Sequence, residues 1–480
     1  TDANAVAFLG TGSGTVDIVD ANGAGFSGAT GSGNIALATQ TGDLTVAGDI
    51  ATRGDASLTA TAGSLQRTGG TVRANALSLI AGGSNGGIGS VAAPVLTDAA
   101  TIAFTGNGSG AINIVEANGA SIRGSTGSGD IRVESTSGDL TVDGAVSTGG
   151  DARLTAGRDL ALNAAVSADE VVLNARGGAI RQSNAGVITA DTLSGSSQGA
   201  TSLLAANRID RLGAFTTNGF ALSNAQALTV ASNAVVDGGT GNVALTTTQG
   251  GIAIDGTLRS QHAVTVDGTV TLNSAGTIVE GVGGRILADV LTGRSLGSAS
   301  FGSENSFIAN RVGTVSQFQS RGTFSLTTEG TLGIFNLDAT GFTTYLGVIG
   351  GDLLQLRDSE IRNTTGRYFV PDGGIGRRGN GEGQSLRVTG TGNQTIIDVR
   401  IRPAYVTART ANGTFLLLDG VGGFNSEIAG STGSAQQSNN VSDSYIDPAL
   451  ISARFRTYGI VPSGMRLPED QIESKESDDE

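Results

Sequence analysis

Eight apolar positions near the start of this chain return 96 residues later, while the residues between them do not. Phe8, Val16, Ile18, Ile35, Leu37, Leu44, Val46 and Leu58 recur as Phe104, Ile112, Ile114, Ile131, Val133, Leu140, Val142 and Leu154. Their neighbours drift: Ala36 becomes Arg132, Ala38 becomes Glu134, Ala47 becomes Asp143 and Ser57 becomes Arg153. One set faces a core and the other faces water. The spacing within each motif is two, the period of a strand. A long repeat of alternating strands with glycine at the corners specifies a solenoid.

Composition agrees. Of the 480 residues, 77 are Gly, 6 are Pro and none is Cys. Gly is about twice its usual share and follows no three-residue period, which excludes collagen. Aromatic residues make up only 4%, so the core is built of Ala, Val, Ile and Leu, as a narrow tube requires. The net charge is −14, with Lys475 the only lysine. No basic patch offsets phosphate, so nucleic acid is not an expected partner. No run approaches the ~18 apolar residues of a membrane-spanning helix. There is no signal peptide, and Thr1 falls inside the repeat pattern, so the chain reads as a piece of something longer.

The basic period is near 20 residues. Leu37, Leu58 and Leu79 hold like positions at steps of 21. Corners such as Thr41-Gly42-Asp43 and Ser137-Gly138-Asp139 join the strands. The strands follow too closely for helical crossovers, so each must pair with its counterpart one coil on. That predicts an all-β, right-handed parallel β-helix of roughly twenty coils. At one strand spacing per coil, the rod would be on the order of 100 Å long. A second long repeat, 177–195, returns at 275–293 with an offset of 98. Composition shifts near residue 345: all five Tyr and five of the six Pro lie beyond residue 344. The expected organisation is a regular β-helix over 1–344, less regular coils and a cap over 345–460, and an acidic, disordered tail over 461–480.

The coils such as SGDLTVDGAVSTGGDARLTAG, with the block at 186–222 and its copy at 284–326, resemble the filamentous haemagglutinin family of two-partner-secretion exoproteins. The likeness covers residues 1–340 best. It implies a large secreted surface protein on a right-handed parallel β-helix, adhesin-like, exported through an outer-membrane transporter. The family's N-terminal secretion domain is not part of this sequence.

Chemistry-bearing motifs are few. Arg53-Gly54-Asp55 is the tripeptide that integrin ligands display, and it falls at a corner. The equivalent corner one repeat on is Gly149-Gly150-Asp151, so Gly and Asp read as turn chemistry and Arg53 as a variable surface residue. The only histidine, His262, has no triad context, and no metal-ligating pattern or calcium repeat occurs. Asp352, Asp358 and Glu360 with Arg357 and Arg362 form the densest charged group, read as a solvated face. Arg377 and Arg378 sit in a long loop over 371–384 that would suit an anionic glycan or simply solubilise. Sequons at Asn363 and Asn412 fit chance in such a composition. No enzyme and no cofactor is expected. The expected role is contact with a cell surface, a glycan or copies of the chain, at the bacterial surface or outside it. The alternatives are a self-assembling filament and a polysaccharide-processing or glycan-binding β-helix.

Overall fold

The computed structural model describes residues 1–260, 268–302, 310–355 and 359–370. Beyond these it describes only the strands Leu386–Gly390, Gln394–Asp398, Tyr405–Thr410, Phe415–Asp419, Asn425–Ser426 and Gln436–Gln437. His262, Arg357, Asp358, the loop with Arg377 and Arg378, the sequon at Asn412, the expected cap and the acidic tail lie outside the described residues. Two compact units form: Thr1–Ala299 with Phe318–Ser320, and Ser300–Gln317 with Arg321–Glu480.

Within each unit the described residues are strands and turns, and strand pairing is parallel. The strands stack as a β-solenoid of about 17 turns in all, with coils roughly 21 residues apart. The expected parallel β-helix with a period near 20 residues is what the described residues form, and some coils carry excursions. Between Leu79 and its register partner Phe104 the chain makes an extra turn closed by Ser90 N–H to Ala93 O (3.1 Å), with Val91 exposed at its tip.

In the first unit, Leu37 stands on Leu58 and Leu58 on Leu79 in register. One 96-residue step on, Val133 stands on Leu154 and Leu154 on Leu173. These side chains are buried, as are Ile35, Leu44, Val46, Phe104, Ile112, Ile114, Ile131, Leu140 and Val142. Phe8, Val16 and Ile18 are only half-buried, because Ala5–Leu9 and Val16–Asp20 each pair on one side. The 98-residue repeat is equally visible: Ile180 and Ile278, Ile188 and Ile286, and Leu193 and Leu291 are all core residues.

Corners close with polar groups inside the coil as well as at its surface. Thr52 Oγ1 donates to Gly33 O (2.6 Å) and accepts Gly54 N–H (2.8 Å). Thr148 repeats this with Gly129 and Gly150. Further along, Asn207 and Asn224 are fully buried. Asn207 Oδ1 accepts Ile188 N–H (2.9 Å), and its Nδ2 donates to Leu203 O and Ser223 O. Asn224 Oδ1 accepts Ile209 N–H (2.9 Å). Each amide satisfies main-chain groups that a tight corner leaves without strand partners.

In the second unit, Phe324–Glu329 lies on Leu332–Ile349, which in turn pairs with Leu353–Gln355 and Ile361–Val370. Phe301 and Phe324 meet edge-on in its core, with ring centroids 5.8 Å apart.

Candidate functional site

The Arg53-Gly54-Asp55 corner is tied into the coils on either side. Asp55 N–H donates to Asn34 Oδ1 one coil before (3.0 Å). Asp55 Oδ1 accepts Ala76 N–H and Asn75 Nδ2 one coil after, both at 3.1 Å. Gly54 is needed for this approach, since a Cβ there would stand 2.6 Å from Asn34 Oδ1. The corner one repeat on has the same construction: Asp151 N–H donates to Asp130 Oδ1 (3.1 Å), and Asp151 Oδ1 accepts Glu170 N–H (3.2 Å). Gly54 and Asp55 therefore act as corner ladder residues. Arg53 is exposed.

The same repeat preserves a carboxylate cradle that alternation alone does not reveal. Asp20 accepts the Thr1 hydroxyl (2.5 Å), Ala3 N–H (3.0 Å) and Asn22 N–H (3.1 Å). Glu116 accepts the equivalent groups: the Thr97 hydroxyl (2.5 Å), Ala99 N–H (3.2 Å) and Asn118 N–H (3.3 Å). The two carboxyls differ in environment. The Thr1 hydroxyl, with the two main-chain donors, holds Asp20 below the ordinary carboxylate range. Burial pushes Glu116 above it despite the same three donors, and the neighbouring Asp98 charge adds to the rise.

A raised carboxyl favours the fold while protonated. Its contribution is fully present below the unfolded value, near pH 4.5, and is lost as pH rises through the folded one. Glu116→Gln sets a donor amide against the Asn118 or Ala99 N–H and is expected to cost about 1–3 kcal/mol. Because only the wild type loses this contribution with rising pH, the deficit should be larger at about pH 4 than at about pH 8. Thermal unfolding of both proteins at the two pH values checks this, and a deficit that grows with pH contradicts it.

Charge gathers on one outward face of the second repeat. Glu134 binds Arg132 (3.2 Å) from its own strand and Arg176 (2.8 Å) from two coils further on. Burial alone would raise this carboxyl; the two guanidinium groups outweigh it and hold it below its ordinary value. Thr155 is the register partner of Glu134 and faces outward, yet it is buried, because the Arg176–Glu134 pair spans its coil. Arg153 is the register partner of Arg132. Elsewhere in this unit, Arg73–Asp49, Arg158–Asp139 and Arg181–Asp159 pair across coils at the surface. Such exposed pairs contribute ~0–1 kcal/mol each.

In the second unit, Glu360 pairs with Arg362 (2.9 Å), and its N–H donates to Asn336 Oδ1 (3.0 Å). Asp352 lies earlier in the same coil, just before Leu353–Gln355, where its N–H meets Thr331 Oγ1. The sequon residue Asn363 is turned inside, its Nδ2 donating to the buried Tyr368 hydroxyl at 2.8 Å. Burial raises the Tyr368 phenol well above its ordinary value.

Among the described residues, no group of three His, Cys, Asp or Glu side chains is placed to hold a metal ion. No helix there is long and apolar enough to cross a membrane. The cradles, ladders and pairs above bind the coils to one another, and around Glu134 outward side chains converge where the first repeat has Ala36, Ala38 and Ser57. Comparison with protein-family models, with curated proteins and with solved structures gives no match.

Proposed function

We propose that the chain is a secreted or surface-associated fibrous bacterial protein, adhesin-like, whose work is contact with a cell surface or an extended ligand. An outer-membrane transporter would export it, in line with the resemblance to filamentous haemagglutinins. The observation that carries this reading is the separation of inside from outside across the 96-residue repeat. The core residues and the Asp20 and Glu116 cradles are kept. On the outward face Ala36, Ala38 and Ser57 give way to Arg132, Glu134 and Arg153. A solenoid of this kind holds its fold by parallel hydrogen bonding and a small aliphatic core, which leaves the surface free to carry recognition.

The test is binding of the purified, labelled chain to bacterial and host cells over a range of concentrations, with electron microscopy of the same samples. Saturable binding by discrete particles is the expected result. Fibres that lengthen with protein concentration would replace this reading with self-assembly, and absence of saturable binding would remove it. Arg53→Ala should leave binding unchanged, because Gly54 and Asp55 serve the corner.

A further inference from the structure

Among the described residues the pair Asn-Gly occurs five times, at 22–23, 85–86, 107–108, 118–119 and 218–219. The pairs at 380–381 and 412–413 lie outside the described residues. A glycine after asparagine leaves the next main-chain nitrogen without a side chain to shield it. That nitrogen can close on the asparagine carboxamide wherever the fold holds the two together. In all five described pairs the asparagine is exposed, so access to water does not separate them. The partners of each carboxamide do.

Four of the five carboxamides are tied to a neighbouring coil. Asn22 Nδ2 donates to Asp2 Oδ1 (2.5 Å), and Asn118 Nδ2 to Asp98 Oδ1 (2.9 Å). Asn218 is held at both ends, its Nδ2 by Gln198 O (3.1 Å) and its Oδ1 by the Thr240 N–H and hydroxyl. Asn85 Oδ1 accepts the Ser109 N–H and hydroxyl, and the Gly86 N–H is committed to Gly83 O (2.9 Å). Asn107 differs. Its Oδ1 accepts the N–H of Gly108 itself at 2.9 Å, which sets that main-chain nitrogen against the carboxamide. Its Nδ2 meets Gly82 O at 3.5 Å, longer than an ordinary N–H···O bond. The main chain is fixed around the pair: Asn107 N–H donates to Gly86 O, and Gly110 N–H donates to Asn107 O, both at 3.0 Å. The corner does not require an asparagine. One repeat earlier, Thr11-Gly12-Ser13-Gly14 stands where Asn107-Gly108-Ser109-Gly110 stands here. There Gly12 O accepts Ser32 N–H, as Gly108 O accepts Ser128 N–H.

We propose that Asn107 is a self-modification site, at which the fold favours deamidation through a cyclic imide with Gly108. The Gly108 nitrogen bonds to Asn107 Cγ, and the Cγ–Nδ2 bond breaks. The proton lost from Gly108 returns through water to Nδ2, which departs as ammonia. Water then opens the ring. Attack at Cγ leaves an aspartate. Attack at the main-chain carbonyl carbon leaves an isoaspartate, whose main chain runs through Cγ. One water is consumed and one ammonia released, and nothing is oxidised or reduced. Either product adds a negative charge beside Asn85 and Ser109, so older chains differ from new ones at this corner.

The test is peptide mapping by mass spectrometry of the full chain, kept over time in heavy-oxygen water at mildly alkaline pH, with a second sample kept in urea. In the folded chain Asn107 should take up label about ten-fold faster, or more, than Asn22, Asn85, Asn118 or Asn218. In urea the five rates should converge, because the reacting pair is the same in each. Asn107→Thr, which installs the residue of the first repeat, should abolish uptake at this corner and leave the thermal midpoint unchanged. Asp98→Ala should raise uptake at Asn118 several-fold by freeing its Nδ2, which exposure alone does not predict. An Asn107 no faster than the other four in the folded chain, or a lead that persists in urea, would overturn the proposal. So would an Asn118 that stays unchanged in Asp98→Ala.

Discussion

Gly124→Ala is expected to destabilise the second repeat by about 3 kcal/mol or more, a value in the range that overpacking and backbone displacement produce together. Gly124 has φ near +157° and lies directly over Phe104, its register partner. A Cβ there would fall 2.1 Å from Phe104 O and 2.4 Å from its ring Cδ2. The ring has nowhere to go, because Phe104 is fully buried and its strand is held on the other side by Leu79 and its neighbours.

Gly28 is the same residue one repeat earlier, 2.3 Å from Phe8 O by the same construction. There the outcome should be milder. Phe8 is half-buried, and Ala5–Leu9 pairs on one side only, so strand and ring can both shift. A solenoid need not unfold in one step. The measurement is therefore coil-resolved amide exchange beside the thermal midpoint. Gly124→Ala should lose protection in Val95–Thr105 and Ala120–Ser125, with Gly28→Ala costing less than half as much. Equal costs at the two sites would refute the account.

The contrast between these glycines also marks what the amino-acid sequence can and cannot reveal here. The core was legible because its signal is redundant: Leu37, Leu58 and Leu79 each announce the same period, and the structure stacks them in register. Coil lengths were less legible, since an excursion such as the turn at Ser90–Ala93 leaves the alternation before and after it untouched.

The buried polar groups were missed for a different reason. At a corner, Glu116, Asn207 and Asn224 look like surface residues, and only the coil above or below shows that their partners are main-chain donors. A signal did exist for the cradle, because Thr1, Ala3, Asp20 and Asn22 recur as Thr97, Ala99, Glu116 and Asn118. The outward arginines were visible as drift from Ala36 and Ser57. That Arg132 and Arg153 are neighbours follows only from the register.

Cutting out one whole repeat should leave a folded protein, provided the cut keeps the period. Removing Val19–Ile114, which is 96 residues, joins Ile18 to Val115 in mid-strand. The hybrid strand then reads Val-Asp-Ile-Val-Glu. Its inward Val16 and Ile18 meet Ile131 and Val133 as Ile112 and Ile114 do in the intact chain. Ala5–Leu9 lies over Ala120–Ser125 with Phe8 against Gly124, the pairing that Phe104 makes now. Glu116 re-enters a cradle with Thr1, Ala3 and Asn118, every donor of which has its counterpart in the present structure.

Removing one residue fewer, Val19–Asn113, joins Ile18 to Ile114 and reverses the alternation beyond the seam. Ile114 then faces water, and the Glu116 carboxylate loses its donors, a fault expected to cost several kcal/mol. Far-ultraviolet circular dichroism and limited proteolysis of the two proteins decide the matter. The period-keeping deletion should retain the strand spectrum per residue and a thermal midpoint within a few degrees of the intact chain, because each coil is stabilised by its nearest neighbours and those are preserved. The other should be cleaved at the seam. If both fold alike, register across this strand is not what holds the coils together; if neither folds, stability is not local to neighbouring coils, and the repeat is an echo in the sequence rather than a unit of the fold.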